Sequence, residues 1–355
     1  LDMALLDIAC LSTGIRNVMI PANSVSAHIV FILNQSKVPV VIVSNEKQLS
    51  KIKGIKSELL FLQEVVLMSG KSIESWVISL KEFLELKSIK HENTLGINNL
   101  TSLMYTSGTT GDPKGIMFSQ MNIIYKRYMR AMALPLISDK DRYLSFLPLF
   151  HTFGRFLELS GAMFWGAEYC FMENPSVETM ISNMNLVRPT IFISIPMKWL
   201  QLYEAVNSIV NIELDSEEEI KKAVVSVTGG DLTWGLSAAG FLPSEVFEFF
   251  QKYHITLMSG FGMTEATGGI TMTPPGEYYT NSLGKALPGI EIKLADDGEL
   301  LIKGKYVMLG YYQQADDVTF IEDGWLPTGD IMKQDKNGFI EIIDRKKEIY
   351  KKSLD

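Results

Sequence analysis

Two hydrophobic periods alternate along most of the chain. Short apolar, β-branched runs, Val40-Val-Ile-Val43, Glu64-Val-Val-Leu-Met68 and Thr190-Ile-Phe-Ile-Ser-Ile195, predict strands buried on both faces. Longer segments with helical spacing lie between such runs: Ser119 to Ala133, Val177 to Leu186 and Pro243 to Lys252. This alternation predicts an α/β sheet with crossover helices. From about Ser282 the period shortens. Gly289-Ile-Glu-Ile-Lys-Leu294, Glu299-Leu-Leu-Ile-Lys303 and Gly338-Phe-Ile-Glu-Ile-Ile343 read as short alternating segments separated by Asp/Gly turns, predicting a small antiparallel barrel or sheet. The polar stretches Ser88 to Asn99 and Asn211 to Lys222 read as surface connections, and the acidic cluster Glu217-Glu-Glu219 as a solvated helix start rather than a metal site.

Length and charge narrow the picture further. At 355 residues the chain exceeds one ordinary hydrophobic core, so two or more subdomains are expected. Hydrophobic residues at 46% and charged residues at 21% are ordinary for a globular protein, and no apolar run is long enough to cross a bilayer. A formal net charge of −8 disfavours nucleic acid as a partner. Cys10 and Cys170 are far apart in apolar surroundings and read as buried thiols in a reducing cytosol. His28, His91, His151 and His254 show no zinc-ligand spacing, so any metal is expected to arrive with a nucleotide. The start at Leu1 and the abrupt stop at Asp355 are those expected of a fragment.

The most informative stretch is Tyr105-Thr-Ser-Gly-Thr-Thr-Gly-Asp-Pro-Lys-Gly115, between a strand-like and a helical segment. Gly108 and Gly111 let the backbone bring its N–H groups close to an anion. The hydroxyls of Thr106, Ser107, Thr109 and Thr110 add donors, and Lys114 adds a mobile positive charge. This chemistry suits a triphosphate. A Walker A loop is excluded, because Lys114 follows Pro113 and precedes Gly115. The ordinary alternative is a polar turn, since these residue types cluster in turns for conformational reasons alone.

The loop resembles the signature loop of the adenylate-forming (AMP-binding) superfamily, and five further segments strengthen the resemblance. Pro148-Leu-Phe-His151-Thr-Phe-Gly154 resembles the second core motif, which implies that His151 lies beside the substrate carboxylate and holds it by a hydrogen bond. Ser237-Ala238-Ala239-Gly240 resembles the small-residue wall of the adenine pocket. Ser259-Gly260-Phe261-Gly262-Met263-Thr264-Glu265 resembles the Tyr-Gly-x-Thr-Glu motif. It implies that Thr264 contacts the α-phosphate and Glu265 the magnesium, with Thr106 as a second metal contact and Phe261 stacking on adenine without a tyrosine hydroxyl. Asp330, ending Asp323-Gly-Trp-Leu-Pro-Thr-Gly-Asp330, is implied to accept both ribose hydroxyls. The run Ile343-Asp-Arg-Lys-Lys-Glu-Ile-Tyr-Lys351 resembles the family's hinge, with Arg345 reaching ribose or phosphate and Lys347 as the pivot.

The stretch Leu147 to Trp165 looks most like the long-chain fatty acyl-CoA synthetase branch. The resemblance implies two α/β subdomains with crossover helices over 1–281, a small distorted antiparallel β-barrel over 282–344, and a hinge over 345–355 that would start an absent C-terminal domain. It further implies ATP, magnesium and coenzyme A as cofactor and co-substrates, with Lys114, His151, Thr264, Glu265 and Arg345 closest to the chemistry. A further lysine and much of the coenzyme A channel belong, in the family, to the C-terminal domain. The implied function is activation of a fatty acid to acyl-AMP followed by transfer to coenzyme A. The implied location is cytoplasmic, with peripheral contact at the inner face of a membrane left open. Two alternatives stand beside it: a fatty acyl-AMP ligase that loads a carrier protein, and a non-catalytic nucleotide- or acyl-binding module.

Overall fold

The computed structural model describes residues 1–87, 95–106, 112–279, 282–314 and 320–346. Contacts group the chain into two compact units, one holding residues 2–120 with 309–314 and the other 121–308 with 315–355.

The smaller unit has two sheets. Val40–Val43, Glu64–Leu67 and Val77–Ser79 form a three-stranded parallel sheet. Its core joins Ile29 and Leu33 of the helix Ser26–Gln35 to Leu49, Ile52 and Ile55 of Glu46–Ile55, around Val65 and Leu67. The second sheet runs in the order Asn17–Met19, Leu100–Thr106, Lys114–Ser119, Gly310–Tyr311. Three sequence expectations are corrected here. Val40–Val43 is not buried on both faces: it is an edge strand, with Val40 39% and Ile42 38% exposed. The segment after the glycine- and hydroxyl-rich loop is a strand before it is a helix, because Lys114–Ser119 pairs antiparallel with Leu100–Thr106 and the helix Gln120–Ala133 starts only afterwards. Cys10 is half-buried rather than buried, as is Cys170 in the larger unit, and both are free thiols.

The larger unit is built on a seven-stranded sheet in the order Lys285–Ala286, Gly268–Met272, Thr256–Met263, Trp234–Ala238, Ile191–Ser194, Arg142–Ser145, Glu168–Phe171. The strands from Thr256–Met263 onward are parallel, and the first two are antiparallel additions at one edge. The central strand Ile191–Ser194 is buried throughout, as an uninterrupted apolar run between helix layers requires. Trp199 anchors the core with its ring edge-on to Phe192 and Phe250, at centroid separations of 5.4 and 5.1 Å, and its indole N–H donates to the carbonyl of Leu236.

Part of Asn211 to Lys222 is helix rather than connection. Glu217–Thr228 is opened by a reciprocal capping box between Ser216 and Glu219, which also satisfies the acidic first turn, and is closed by Gly229 in the left-handed conformation. The alternating C-terminal segments form a four-stranded antiparallel sheet in the order Glu291–Leu294, Glu299–Lys303, Leu326–Gln334, Ile340–Arg345. No helix among the described residues is long and apolar enough to cross a membrane.

Candidate functional site

In the larger unit, a cavity of about 460 Å³ opens where strands of the parallel sheet end. Trp234–Ala238 and Thr256–Met263 run side by side with Ala238 opposite Gly260, so their carboxyl ends deliver the two small-residue segments to one place. In open α/β sheets this is where ligands bind. Ala238, Ala239, Gly260, Phe261, Gly262, Met263, Thr264 and His151 all line the cavity.

Close backbone approach explains the glycines. A Cβ on Gly262 would sit 2.4 Å from the carbonyl oxygen of Gly268 on the neighbouring antiparallel strand, and one on Gly260 would sit 2.8 Å from that of Thr271. The wall is therefore bare backbone on that side. Ala239 turns the chain away from its strand at φ +67°, a conformation that L residues other than Asn and Asp seldom adopt. Beyond Met263 the chain enters a short 3₁₀ turn, Thr264–Ala266, closed by Thr267, whose hydroxyl donates to the carbonyl of Tyr306 at 2.7 Å.

His151 stands just before a π-helix, Phe153–Leu159, and its ring lies 4.6 Å from that of Phe150. Partial burial lowers its imidazole pKa and favours the neutral ring. Residues Gly154 to Leu159 are all buried, and the carbonyls of the widened turn accept from outside the helix: Arg127 Nη1 donates to Phe156, and Arg130 Nη1 donates to Leu157 at 2.6 Å.

The predicted ribose pair sits on the four-stranded sheet. Asp330 is 4% exposed and faces Arg345 across paired strands, with Arg345 Nε 3.3 Å from its Oδ1. Burial raises the Asp330 pKa, Arg345 lowers it, and the carboxylates of Glu299 and Glu265 raise it again. Glu265 is therefore within electrostatic reach of Asp330. The Thr-Gly-Asp turn is also tied down: Glu299 accepts from the Gly329 N–H at 2.9 Å, while Lys346 Nζ lies 2.6 Å from both Glu299 and Asp297.

Other predicted residues are not among those that line the cavity. Gly240 is not part of its wall. Thr106 and Lys114, in the smaller unit, face each other as the last partners of a hairpin, at the end where its two strands are joined in sequence, with Lys114 Nζ 4.9 Å from the centre of the Tyr311 ring. Ser107, Gly108, Thr109, Thr110 and Gly111 lie outside the described residues, as do the pivot Lys347 and most of the hinge. Among the described residues no cluster of His, Cys, Asp and Glu could by itself hold a metal ion.

Sequence reasoning missed the cationic wall. Lys126, Arg127 and Arg130, on the helix Gln120–Ala133, line the cavity at 1%, 3% and 4% exposure. The pattern points the other way: Ile124, Tyr128 and Met132, spaced every four residues, read as a stripe to be buried, yet they are exposed and this helix carries its cations inward.

The model of the AMP-binding enzyme family matches residues 1–312. A long-chain-fatty-acid–CoA ligase of Homo sapiens is 29% identical over 363 residues, covering 87% of this chain and 50% of the relative. A putative fatty-acid–CoA ligase of Mycobacterium tuberculosis is 30% identical over 291 residues, covering 71% of this chain and 50% of the relative. This chain thus spans about half the length of these curated relatives. Among solved structures, the o-succinylbenzoate coenzyme A synthetase of Bacillus subtilis in complex with ATP and magnesium superposes with a TM-score of 0.77 at 24% identity, covering 98% of this chain and 67% of that one. That likeness establishes the α/β fold of the adenylate-forming enzymes. With the family match running through the strands and turns that build the cavity, the chain belongs to the AMP-binding enzyme family.

Proposed function

We propose that this chain supplies the nucleotide and acid pockets of an ATP-dependent long-chain fatty-acid–CoA ligase. The observation that carries the reading is the convergence of His151, Ala238, Ala239 and Gly260 to Thr264 on one cavity at the carboxyl ends of parallel strands. The substrate class draws its support from curated relatives named as fatty-acid–CoA ligases.

A carboxylate is a poor acyl electrophile. In the proposed first step its oxygen attacks the α-phosphorus of ATP in line, a P–O bond forms, and the bond to the departing pyrophosphate breaks. The acyl-AMP that results is a mixed anhydride, which a thiol can attack at the carbonyl carbon to release AMP. Little covalent chemistry falls to the protein, whose contribution is position and charge. The neutral imidazole of His151 can donate one N–H to the acid carboxylate, the Thr264 hydroxyl can donate to an α-phosphate oxygen, and Asp330 can accept both ribose hydroxyls beside Arg345. Glu265, a hard oxygen ligand, would hold magnesium, whose charge offsets that of the phosphates. Thr106 to Gly111 and Lys114 complete the proposal as the cradle for the β- and γ-phosphates.

ATP–pyrophosphate exchange with palmitate tests it, run on this chain and on a protein extended beyond residue 355. Exchange that depends on the acid and is faster in the longer protein supports both the ligase reading and a role for a following domain. Equal rates remove that role, and absence of exchange in both removes the ligase. A second reading, transfer to a carrier-protein thiol, separates from the first by whether coenzyme A alone yields thioester.

A further inference from the structure

We propose that Lys346 is a positioning residue for ribose: acting through Glu299, it holds the Thr328-Gly329-Asp330 turn in the shape that lets one carboxylate meet two vicinal hydroxyls. This rests on reading Asp330 as the ribose acceptor.

The turn is a bulge in the C-terminal sheet. Glu299 pairs with Ile331 and Leu301 with Pro327, so Leu300 alone stands against Thr328, Gly329 and Asp330. Such an insertion re-aims a side chain and interrupts the ladder of backbone hydrogen bonds. Side chains take over here. The Thr328 hydroxyl donates to the Leu300 carbonyl at 2.9 Å, the Asp330 N–H donates to that hydroxyl at 3.2 Å, and the Gly329 N–H donates to Glu299 Oε1 at 2.9 Å. Of these partners, Glu299 is the one that brings a charge.

Glu299 is buried, as is Asp330, and the two carboxylates feel each other, Glu299 pressing Asp330 toward its protonated form. Like charges out of water stay ionised only beside cations. Two consecutive residues supply them. Arg345 Nε lies 3.3 Å from Asp330 Oδ1, and Lys346 Nζ lies 2.6 Å from Glu299 Oε2, with Asp297 Oδ2 as a second partner at 2.6 Å. Hydrogen bonds to Asp297 and Glu299 raise the Lys346 pKa, so the ammonium keeps its charge. Each Glu299 oxygen thus has its own donor, Oε1 the Gly329 N–H and Oε2 the ammonium. This division fixes the orientation of the carboxylate as well as its charge. With Lys346 removed, Glu299 can take up a proton or turn toward water, and the Gly329 N–H loses the acceptor that shapes the turn. Asp330 would keep its strand partner Arg345 but lose its aim.

Calorimetric titration of this chain with AMP, against dideoxyadenosine monophosphate, which lacks both ribose hydroxyls, tests the role without turnover. The parent should bind AMP about tenfold or more tighter, the scale of a hydrogen bond to a charged group, and Asp330→Ala should bring that ratio to about one. In Lys346→Met the ratio should fall below about threefold through weaker AMP binding, with the dideoxy affinity unchanged, and Lys346→Arg should restore it. In a Glu299→Leu background Lys346→Met should change the ratio no further, because the two residues act in series. Thermal unfolding checks each variant, and Lys346→Ala stands in should Lys346→Met not fold. A parental ratio in Lys346→Met overturns the positioning role and leaves Asp330 as ribose acceptor. A loss shared equally by both nucleotides overturns it too, since a merely structural lysine would act so. A parent that binds the two nucleotides equally or not at all, or an Asp330→Ala variant that still tells them apart, removes the ribose reading itself.

Discussion

Arg345 Nε lies 3.3 Å from Asp330 Oδ1, and the two residues are direct partners across antiparallel strands. The pair is lopsided: the Asp330 side chain is 6% exposed and that of Arg345 is 73% exposed. Glu299 and Glu265 both press the Asp330 carboxyl toward its protonated form, and Arg345 opposes them. Arg345→Gln removes the opposition, so the Asp330 pKa rises. Because ionised Asp330 is the proposed ribose acceptor, AMP affinity in the variant should fall further behind the parent as pH drops from 8 to about 5. Calorimetry across that range checks it, and a deficit independent of pH would count against the coupling.

Thr264→Val keeps shape and removes a hydroxyl. If Thr264 contacts the α-phosphate, AMP binding should weaken by roughly 1 kcal/mol, about fivefold, with little change in melting temperature. An unchanged affinity would take Thr264 out of the proposed site.

Gly262→Ala and Gly54→Ala make a matched contrast. The first places a methyl 2.4 Å from the Gly268 carbonyl, where two strands must part to admit it, and should cost about 1–3 kcal/mol or more. The second meets nothing within 4 Å near the end of the helix Glu46–Ile55, and should stabilise by about 0.5–1 kcal/mol. Thermal unfolding of both reads the difference.

Glu158 gives the fold a pH dependence of unusual sign. Burial pushes its pKa up to about 8 from 4.5, against the hydrogen bonds from Ser145 and Tyr169 and the field of Arg130. Between those values the folded chain keeps a proton that the unfolded chain has lost. Its contribution to stability is thus full below about pH 4.5 and is lost as pH rises toward 8, on the order of 1 kcal/mol per unit. Glu158→Gln, which stays neutral, should flatten the fall in melting temperature between pH 5 and 8.

How much of this was legible in the sequence follows from which residues speak locally. Ile191–Ser194 and Ser244–Lys252 were readable because period and propensity agree within a few residues. Gly260 to Thr264 point to a site only through the resemblance of their motif to a family's, and all five line one cavity. Val40–Val43 misled because an apolar run carries no information about whether a neighbouring strand covers both sides. Lys126, Arg127 and Arg130 were missed for a related reason: charge in a helix is ordinarily solvated, and only the tertiary packing of Ile124, Tyr128 and Met132 outward turns these cations inward. The pairing of Lys114–Ser119 with Leu100–Thr106 is likewise a fact of register, which a loop motif does not encode.

The π-helix Phe153–Leu159 holds one more residue in its turn than an α-helix would. A chain one residue shorter between Thr152 and Ser160 could span the same gap with ordinary helical pitch, but each side chain beyond the deletion would swing by about 100° around the axis. Glu158 would leave Ser145 and Tyr169, and the carbonyls that Arg127 and Arg130 now grip would be drawn back into the helix's own ladder. Length in this short segment therefore sets the polarity of the chamber behind it, and insertion or loss of a single codon is a route by which such a scaffold could exchange one class of guest for another.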